Sequence, residues 1–424
     1  MIRCRNSLWY PCLATFHHYS VFSADDDDFA SSKNITHHAH LQSLYGIDEK
    51  TTNALRAFRD GLLKTSIVNG EEFLPYLKDC EGCRQKGRAH GHYNRQDNLT
   101  QQEKQTFFAC GNDRVNSSPM FLYPAVLYLR MYNNYARALK VENPEWGDEE
   151  LFQRARNLNI ACHFKHLIHE IRFNFGDAYS FVGLPELKSV TKTNGTGVNG
   201  AITYESKLAY IFHEAIPDYF ELPKKVVDDL SGRVTIQTQK IRWEELYWEP
   251  QKMTELGTVE EWINCLTRQN CRRLCLRNTP KRLLRVHVEH WALARKVRLP
   301  TLNEYREKIC GLPAYRSFDE VTRDVVVQEK LKKHYGTVDN LEFYPGMYAE
   351  DPWPLDEKLS GCFGLCDYLG PVYAVMVKST LSQWPLIRRT CIPLFWSTGC
   401  PANSCETYWM FTTTIICLNP VGFP

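Results

Sequence analysis

The most informative stretch of the sequence is Leu208-Ala209-Tyr210-Ile211-Phe212-His213-Glu214-Ala215-Ile216-Pro217-Asp218-Tyr219-Phe220. Its first half is an apolar run of helical character that ends at His213, and Tyr210 stands three residues before that histidine. Pro217 and Asp218 then break the run, because proline cannot continue a helix. The pattern predicts a buried histidine close to a buried phenol.

Two roles are open for this histidine and phenol. A lone histidine in an apolar run is most often a core residue with hydrogen-bonded ring nitrogens. Neutral imidazole is also the common axial ligand of haem iron in peroxidases, and a tyrosine beside it is then a candidate redox-active side chain. The residues alone leave both roles open for His213 and Tyr210.

The composition is that of an ordinary globular protein, with 424 residues of which 43% are hydrophobic and 24% charged. A net charge of +2 gives no reason to expect nucleic acid or an anionic membrane as a partner. No apolar run at the N-terminus has the character of a signal peptide. The 16 cysteines and the glycosylation sequons nevertheless indicate an oxidising compartment. The sequons begin at Asn34, Asn98, Asn116 and Asn194.

Helical spacing dominates the middle of the chain, so the predicted fold class is mainly α. Apolar residues recur at helical spacing for about twenty residues after Ser118-Pro119. A second long helix is predicted after the corner at 143–148. Its His163, His166 and His169 stand three residues apart, which suits either metal ligands or the polar flank of an amphipathic helix.

Shorter elements are predicted near the N-terminus. Residues 6–22 suggest a buried helix that Pro11 interrupts. A helix from Lys50 to Arg59 is expected to end at Gly61, which would serve as its C-cap. An extended pair is expected to turn at Asn69-Gly70. Few stretches alternate with period two, so little further β-structure is expected.

Several ordered segments resemble the cyclooxygenases, the prostaglandin-endoperoxide synthases of the animal haem peroxidase superfamily. Tyr210-x-x-His213 followed by Pro217-Asp218 is similar to the family's proximal haem segment. The other matching segments are Leu55-Arg56-x-Phe58-Arg59-Asp60-Gly61, Pro144-Glu145-Trp146-Gly147-Asp148-Glu149, Asn303-Glu304-Tyr305-Arg306 and Phe343-Tyr344-Pro345-Gly346. The resemblance covers residues 6–354, so residues 1–354 are predicted to form a partial catalytic domain and residues 355–424 a divergent tail.

The resemblance implies a haem-peroxidase-like fold, with haem b (iron protoporphyrin IX) between helices, and it assigns roles by position. His213 resembles the proximal ligand of the haem iron, and Tyr210 resembles the tyrosine that becomes a radical. Tyr344 is similar to the tyrosine that links to the proximal histidine. His18 falls on the distal histidine when Asn6-Ser7-Leu8-Trp9 is laid against the family without a gap, and His17 is its near rival.

The chain also departs from the family. Ala14 stands where the family has a glutamine that donates to bound peroxide. The family is dimeric and membrane-associated, in the endoplasmic reticulum or secreted, but its membrane-binding helices have no counterpart in this sequence. The predicted function is a haem-dependent peroxidase and fatty-acid dioxygenase that oxidises a polyunsaturated fatty acid through a tyrosyl radical. The alternatives are a haem-binding relative with impaired catalysis and another fatty-acid dioxygenase of the superfamily.

Overall fold

The computed structural model describes residues 3–21, 41–46, 48–83, 105–175, 208, 212–227 and 234–352. Tyr210, three of the sequons and the predicted tail after 354 lie outside these ranges, and the side chain of His169 is not described. The described part of the chain is mainly helical, as predicted. None of its helices is both long and apolar enough to cross a bilayer.

Two long helices form the centre of the core. The first, Pro119–Glu142, begins where the sequence predicted, because the Ser118 hydroxyl accepts a hydrogen bond from the backbone N–H of Met120 and proline occupies the first helical position. The second, Asp148–Phe175, packs against it after the predicted corner. Their inward positions Val126, Leu129, Ala136, Leu151 and Ala155 are all buried, and this burial is the main stabilising contribution.

An N-terminal helix, Trp9–Val21, packs on both long helices and confirms the buried helix predicted there. Pro11 does not interrupt it. Proline is tolerated at this position because the first-turn N–H groups of a helix have no carbonyl partner within the helix. Ala14 and His17 on this helix are both buried.

Within the described residues, three two-stranded antiparallel sheets accompany the helices. Ser66–Val68 pairs with Glu71–Phe73 across Asn69 and Gly70, which both have positive φ, so the predicted turn is confirmed. Arg3–Ser7 pairs with Asn270–Arg272. The longest ladder, Tyr219–Val227 with Val234–Arg242, was not predicted. Seven consecutive residues of its second strand are exposed, so no buried face imposed an apolar alternation on the sequence.

One predicted boundary was wrong. The helix expected over 50–59 spans Glu49–Leu55, and the chain then forms a bridge between Arg56 and Leu63. Gly61 is not the helix C-cap. It lies in the turn of this bridge with φ +70°, close against Leu151 on the second long helix.

The remaining helices are short and surround the core. They are Gln42–Tyr45, Trp243–Leu246, Pro250–Leu256, Val259–Arg268, Leu284–Lys296, Leu302–Tyr305, Phe318–Val321, Val325–Tyr335 and Phe343–Ala349. The helix Val325–Tyr335 ends at Gly336. Single helical turns occur at Leu77–Asp79, Asp113–Asn116, His213–Ala215, Lys281–Leu283 and Val338–Asn340, and a π-turn at Arg306–Cys310.

The sequon at Asn116 is not a surface feature. Its side chain is fully buried, accepts a hydrogen bond from the N–H of Phe108 at 2.9 Å and donates to the carbonyl of the same residue at 2.9 Å. The side chain has no room for a glycan in the folded chain. Cys12, Cys80, Cys83, Cys110, Cys162, Cys265, Cys275 and Cys310 are free thiols, so the oxidising compartment inferred from the cysteine count stays a prediction.

Candidate functional site

His213 begins a single tight turn, His213–Ala215, that leads into the strand Tyr219–Val227. Its chain neighbours Phe212, Glu214 and Ala215 are buried, whereas the His213 side chain is only half-buried. His213 is thus the most exposed residue of an otherwise buried turn, although its Nδ1 is buried. Such an arrangement suits a ligand better than a core histidine, whose ring would be enclosed.

The turn is fixed at its far end by Asp218. Its carboxylate lies 2.6 Å from Nη1 of Arg272, and its carbonyl accepts from the N–H of Trp243 at 2.9 Å. The same Arg272 nitrogen donates to the carbonyl of Ile216 at 3.2 Å. The Pro-Asp element of the sequence motif is thereby joined to the strand Asn270–Arg272.

A buried polar network lies directly beside His213. Nε2 of His287 donates to Oε1 of Glu214 at 2.7 Å, and Nδ1 of His287 lies 2.9 Å from the hydroxyl of Tyr344. Thr279 donates to the same carboxylate oxygen at 3.3 Å. Glu214 is 1% exposed and Tyr344 3% exposed, so the network is shielded from solvent. The ring of His287 meets the ring of His213 edge to face, with centroids 6.2 Å apart.

The charges of this network shift the pKa values of its members. Burial alone lowers the pKa of His287, but the charge of Glu214 and the hydrogen bond to it outweigh burial and raise the pKa above its usual value. Burial raises the pKa of the Tyr344 phenol well above its usual value, and the Glu214 charge adds to that effect. Tyr344 therefore stays protonated at neutral pH.

Sequence reasoning missed Glu214 and His287 and gave Tyr344 the wrong partner. Tyr344 was expected to link to His213, but its hydroxyl pairs with His287 instead. His287 belongs to the helix Leu284–Lys296, where helical spacing alone does not distinguish it from the other polar residues between core positions. The signal available in the sequence was a glutamate directly after the proposed ligand, and a glutamate in a buried run requires a partner.

The residue predicted for the distal side of the site, His18, belongs to the N-terminal helix, but its side chain is outside the described part of the structure. His17 is described, and its Nδ1 lies 3.0 Å from Nε2 of His163 with the two rings stacked. His17 is thus directed at the second long helix.

The three histidines on the second long helix do not form a metal centre where they are described. No group of three or more histidine, cysteine or acidic side chains in the described ranges is arranged to hold a metal ion. The alternative, a polar flank, is wrong for His163, which is buried against His17. Burial, with a smaller contribution from His166, lowers the pKa of His163 to about 3, so its imidazole is neutral.

The chain is similar to known proteins both in sequence and in fold. The sequence profile described as animal haem peroxidase matches residues 23–366. Prostaglandin G/H synthase 1 of Canis lupus familiaris is 29% identical over 325 residues, covering 76% of this chain and 49% of the relative. Prostaglandin G/H synthase 2 of Bos taurus is 27% identical over 341 residues, covering 77% and 49%. The chain thus spans about half the length of the curated relatives it matches.

Solved structures share the fold at low sequence identity. The fatty acid alpha-dioxygenase of Oryza sativa superposes with a TM-score of 0.62 at 15% identity, covering 92% of this chain and 74% of that one. Peroxidase A from Dictyostelium discoideum superposes with a TM-score of 0.58 at 20% identity, covering 82% and 62%. At these identities the likeness concerns the fold alone.

Proposed function

The chain belongs to the animal haem peroxidase family, as its sequence resemblance predicted, and on that premise we propose that it is a haem-dependent peroxidase and fatty-acid dioxygenase. The observation that carries the proposal is the half-buried imidazole of His213, presented by a turn whose other residues are buried. His213 is proposed as the ligand of the haem iron. The residues present fit haem b, because a histidine with a buried polar network behind it is the usual proximal arrangement.

Bound haem would supply the reduction of peroxide and the one-electron oxidation of a side chain. The chain's own residues would direct that chemistry. Tyr210, three residues before His213, is proposed to give up a hydrogen atom and then to abstract one from the substrate. His18 is proposed as the distal base, which takes a proton from peroxide and returns it to the departing oxygen. Tyr344 supports the proximal side through His287.

The proposed substrates are a peroxide and a polyunsaturated fatty acid, with an activity of the prostaglandin-endoperoxide synthase type. The relatives most similar in sequence among those named above, prostaglandin G/H synthases, support a lipid substrate. By resemblance to the cyclooxygenases, the proposed setting is the lumen or membrane of the endoplasmic reticulum, or the secreted state, with the chain as a dimer. No nucleic-acid partner is proposed.

One observation favours the second candidate, a haem-binding relative with impaired catalysis. Ala14 is buried at the position of the family's glutamine, and its methyl group cannot donate a hydrogen bond to peroxide. The two candidates differ in their dependence on His18. A binding protein requires only His213, whereas a peroxidase loses turnover of peroxide when His18 is replaced by alanine.

The test is a titration of the purified chain with haemin, followed at the Soret band, for wild type, His213→Ala and His334→Ala. His334 is an exposed histidine on the helix Val325–Tyr335 and controls for the loss of any imidazole. We expect wild type and His334→Ala to saturate near one equivalent, and His213→Ala to lose the sharp band. Equal binding by all three would overturn the proximal assignment. Peroxide and fatty-acid turnover assays then separate the two candidates.

A further inference from the structure

His287 is held by hydrogen bonds at both of its ring nitrogens. Nε2 donates to Glu214 at 2.7 Å and Nδ1 lies 2.9 Å from the Tyr344 hydroxyl. An imidazole bonded at both nitrogens cannot rotate about its ring axis without breaking one of these bonds. The edge-to-face contact with Tyr348, at 5.7 Å between centroids, closes a further side of the ring. The orientation of His287 is therefore fixed.

The residues that hold His287 also hold the segment carrying His213. Glu214 is the next residue in the same turn. Tyr348, which packs on His287, donates its hydroxyl hydrogen bond to the carbonyl of Leu208 at 3.2 Å, at the start of the segment. His287 is thus tied to the segment both before and after His213. Its ring also contacts the His213 ring directly, at an interplanar angle of 75°.

Burial of the Glu214 carboxylate at this position lowers the stability of the fold. The side chain is 1% exposed, and its Oε2 is buried without a hydrogen bond within the described residues. A buried acceptor without a donor lowers the stability of the fold. Groups retained at such a cost are often functional rather than structural. The pair of Glu214 and His287 therefore calls for a functional explanation.

We propose that His287, locked by Glu214 and Tyr344, is a positioning residue that fixes the plane of the His213 imidazole for ligation of the haem iron. The inference rests on the proposed function, because it requires His213 to be the ligand. It goes further by assigning Glu214 and His287, which the motif comparison did not single out, to the support of that ligand. Residues that hold a metal ligand commonly contribute a factor of about 10–100 to metal affinity.

The test replaces His287 by phenylalanine, which keeps an aromatic ring against His213 but removes both hydrogen bonds. The matched control is His290→Phe on the same helix. His290 is also buried and stacks on Tyr344, but its Nδ1 bonds the carbonyl of Val286 and not the network. Haemin affinity is measured at the Soret band, and the electron paramagnetic resonance spectrum of the ferric form reports the orientation of the axial imidazole.

We expect His287→Phe to bind haemin about 10–100-fold more weakly than wild type and to give a broadened ferric signal from several imidazole orientations. Tyr344→Phe, which removes one of the two locks, should change both readouts in the same direction by a smaller factor. His290→Phe should match wild type. Thermal unfolding of each chain without haemin identifies a variant that fails to fold, and Tyr344→Phe then carries the test.

Two failures are distinguishable. If wild type and His213→Ala bind haemin alike, the proposed function fails and the positioning role falls with it. If wild type binds through His213 but His287→Phe and Tyr344→Phe keep its affinity and its spectrum, only the positioning role is overturned.

Discussion

The carboxylate of Asp218 and the guanidinium of Arg272 lie 2.6 Å apart and join the turn of His213 to the strand Asn270–Arg272. Arg3 is the antiparallel partner of Arg272, and the strand Arg3–Ser7 leads directly into the helix that carries His18. One buried arginine therefore links the two segments proposed to face opposite sides of the haem. The strand pairing of Arg3 with Arg272 joins residues far apart in the sequence, so no local sequence pattern predicts it.

Replacing Arg272 by leucine should weaken the fold. The side chain is only 6% exposed, and its loss leaves the carbonyl of Ile216 and the carboxylate of Asp218 without their donor. We expect the free energy of unfolding in urea to fall by about 1–3 kcal/mol. Arg242→Leu is the control, because Arg242 is exposed and its solvent-screened pair with Glu245 should contribute little to stability. Equal losses in the two variants would contradict the linking role.

Replacing Gly61 by alanine should be far more damaging than the same change at Gly147. Gly61 has φ +70°, and an added Cβ would lie 2.7 Å from the Leu151 side chain and the Phe152 nitrogen. Strain and overpacking together should lower the free energy of unfolding by about 2–4 kcal/mol. A Cβ at Gly147 meets no atom within 4 Å, so Gly147→Ala should be close to neutral. Chemical denaturation of both variants provides the comparison.

Asn116 should carry no glycan in the folded protein, although it begins a sequon. Mass spectrometry of the chain secreted from a glycosylating host checks this directly. Asn116→Ala should lower the free energy of unfolding by about 1–3 kcal/mol, because the N–H and carbonyl of Phe108 would be left buried without partners. Glycosylated Asn116 in a protein of native stability would show that this loop is packed differently.

Stability should decrease in mild acid because of His163. Its pKa is about 6.5 in the unfolded chain and about 3 in the native chain, where burial disfavours the charged ring. Between these values the unfolded chain binds the proton and the native chain does not, so the free energy of unfolding falls as the pH falls. From pH 7 to pH 5 the loss should be about 2 kcal/mol.

His163→Phe removes this contribution while keeping an aromatic ring in the same place. Titrating groups that do not contact His163 are common to both chains and cancel in the difference between their stability curves, whereas His17 and His166 lose a neighbour. We therefore expect the wild-type curve to fall more steeply below pH 6.5 than the variant curve. Parallel curves over this window would mean that His163 is charged in the native protein or is not buried there.

Short-range signals predicted much of the local structure. The helix Pro119–Glu142 follows from the apolar spacing along its length. Its start follows from two adjacent residues, Ser118 as N-cap and Pro119 in the first turn. The turn at Asn69-Gly70 was predictable for the same reason, because positive φ at two successive residues favours few residue types. The hairpin Tyr219–Arg242 escaped prediction because both faces of its second strand are exposed.

The amino-acid order alone established the helical class and the family and predicted His213 as the haem ligand, because each depends on motifs and spacing within short segments. Tertiary structure alone decided which residues surround that histidine. Tyr344 pairs with His287 across 57 residues, and His17 pairs with His163 across 146. Such contacts are set by how whole helices pack, and no periodicity in the chain encodes them. The support of the proposed ligand was therefore visible only once the helix Leu284–Lys296 was packed against the turn of His213.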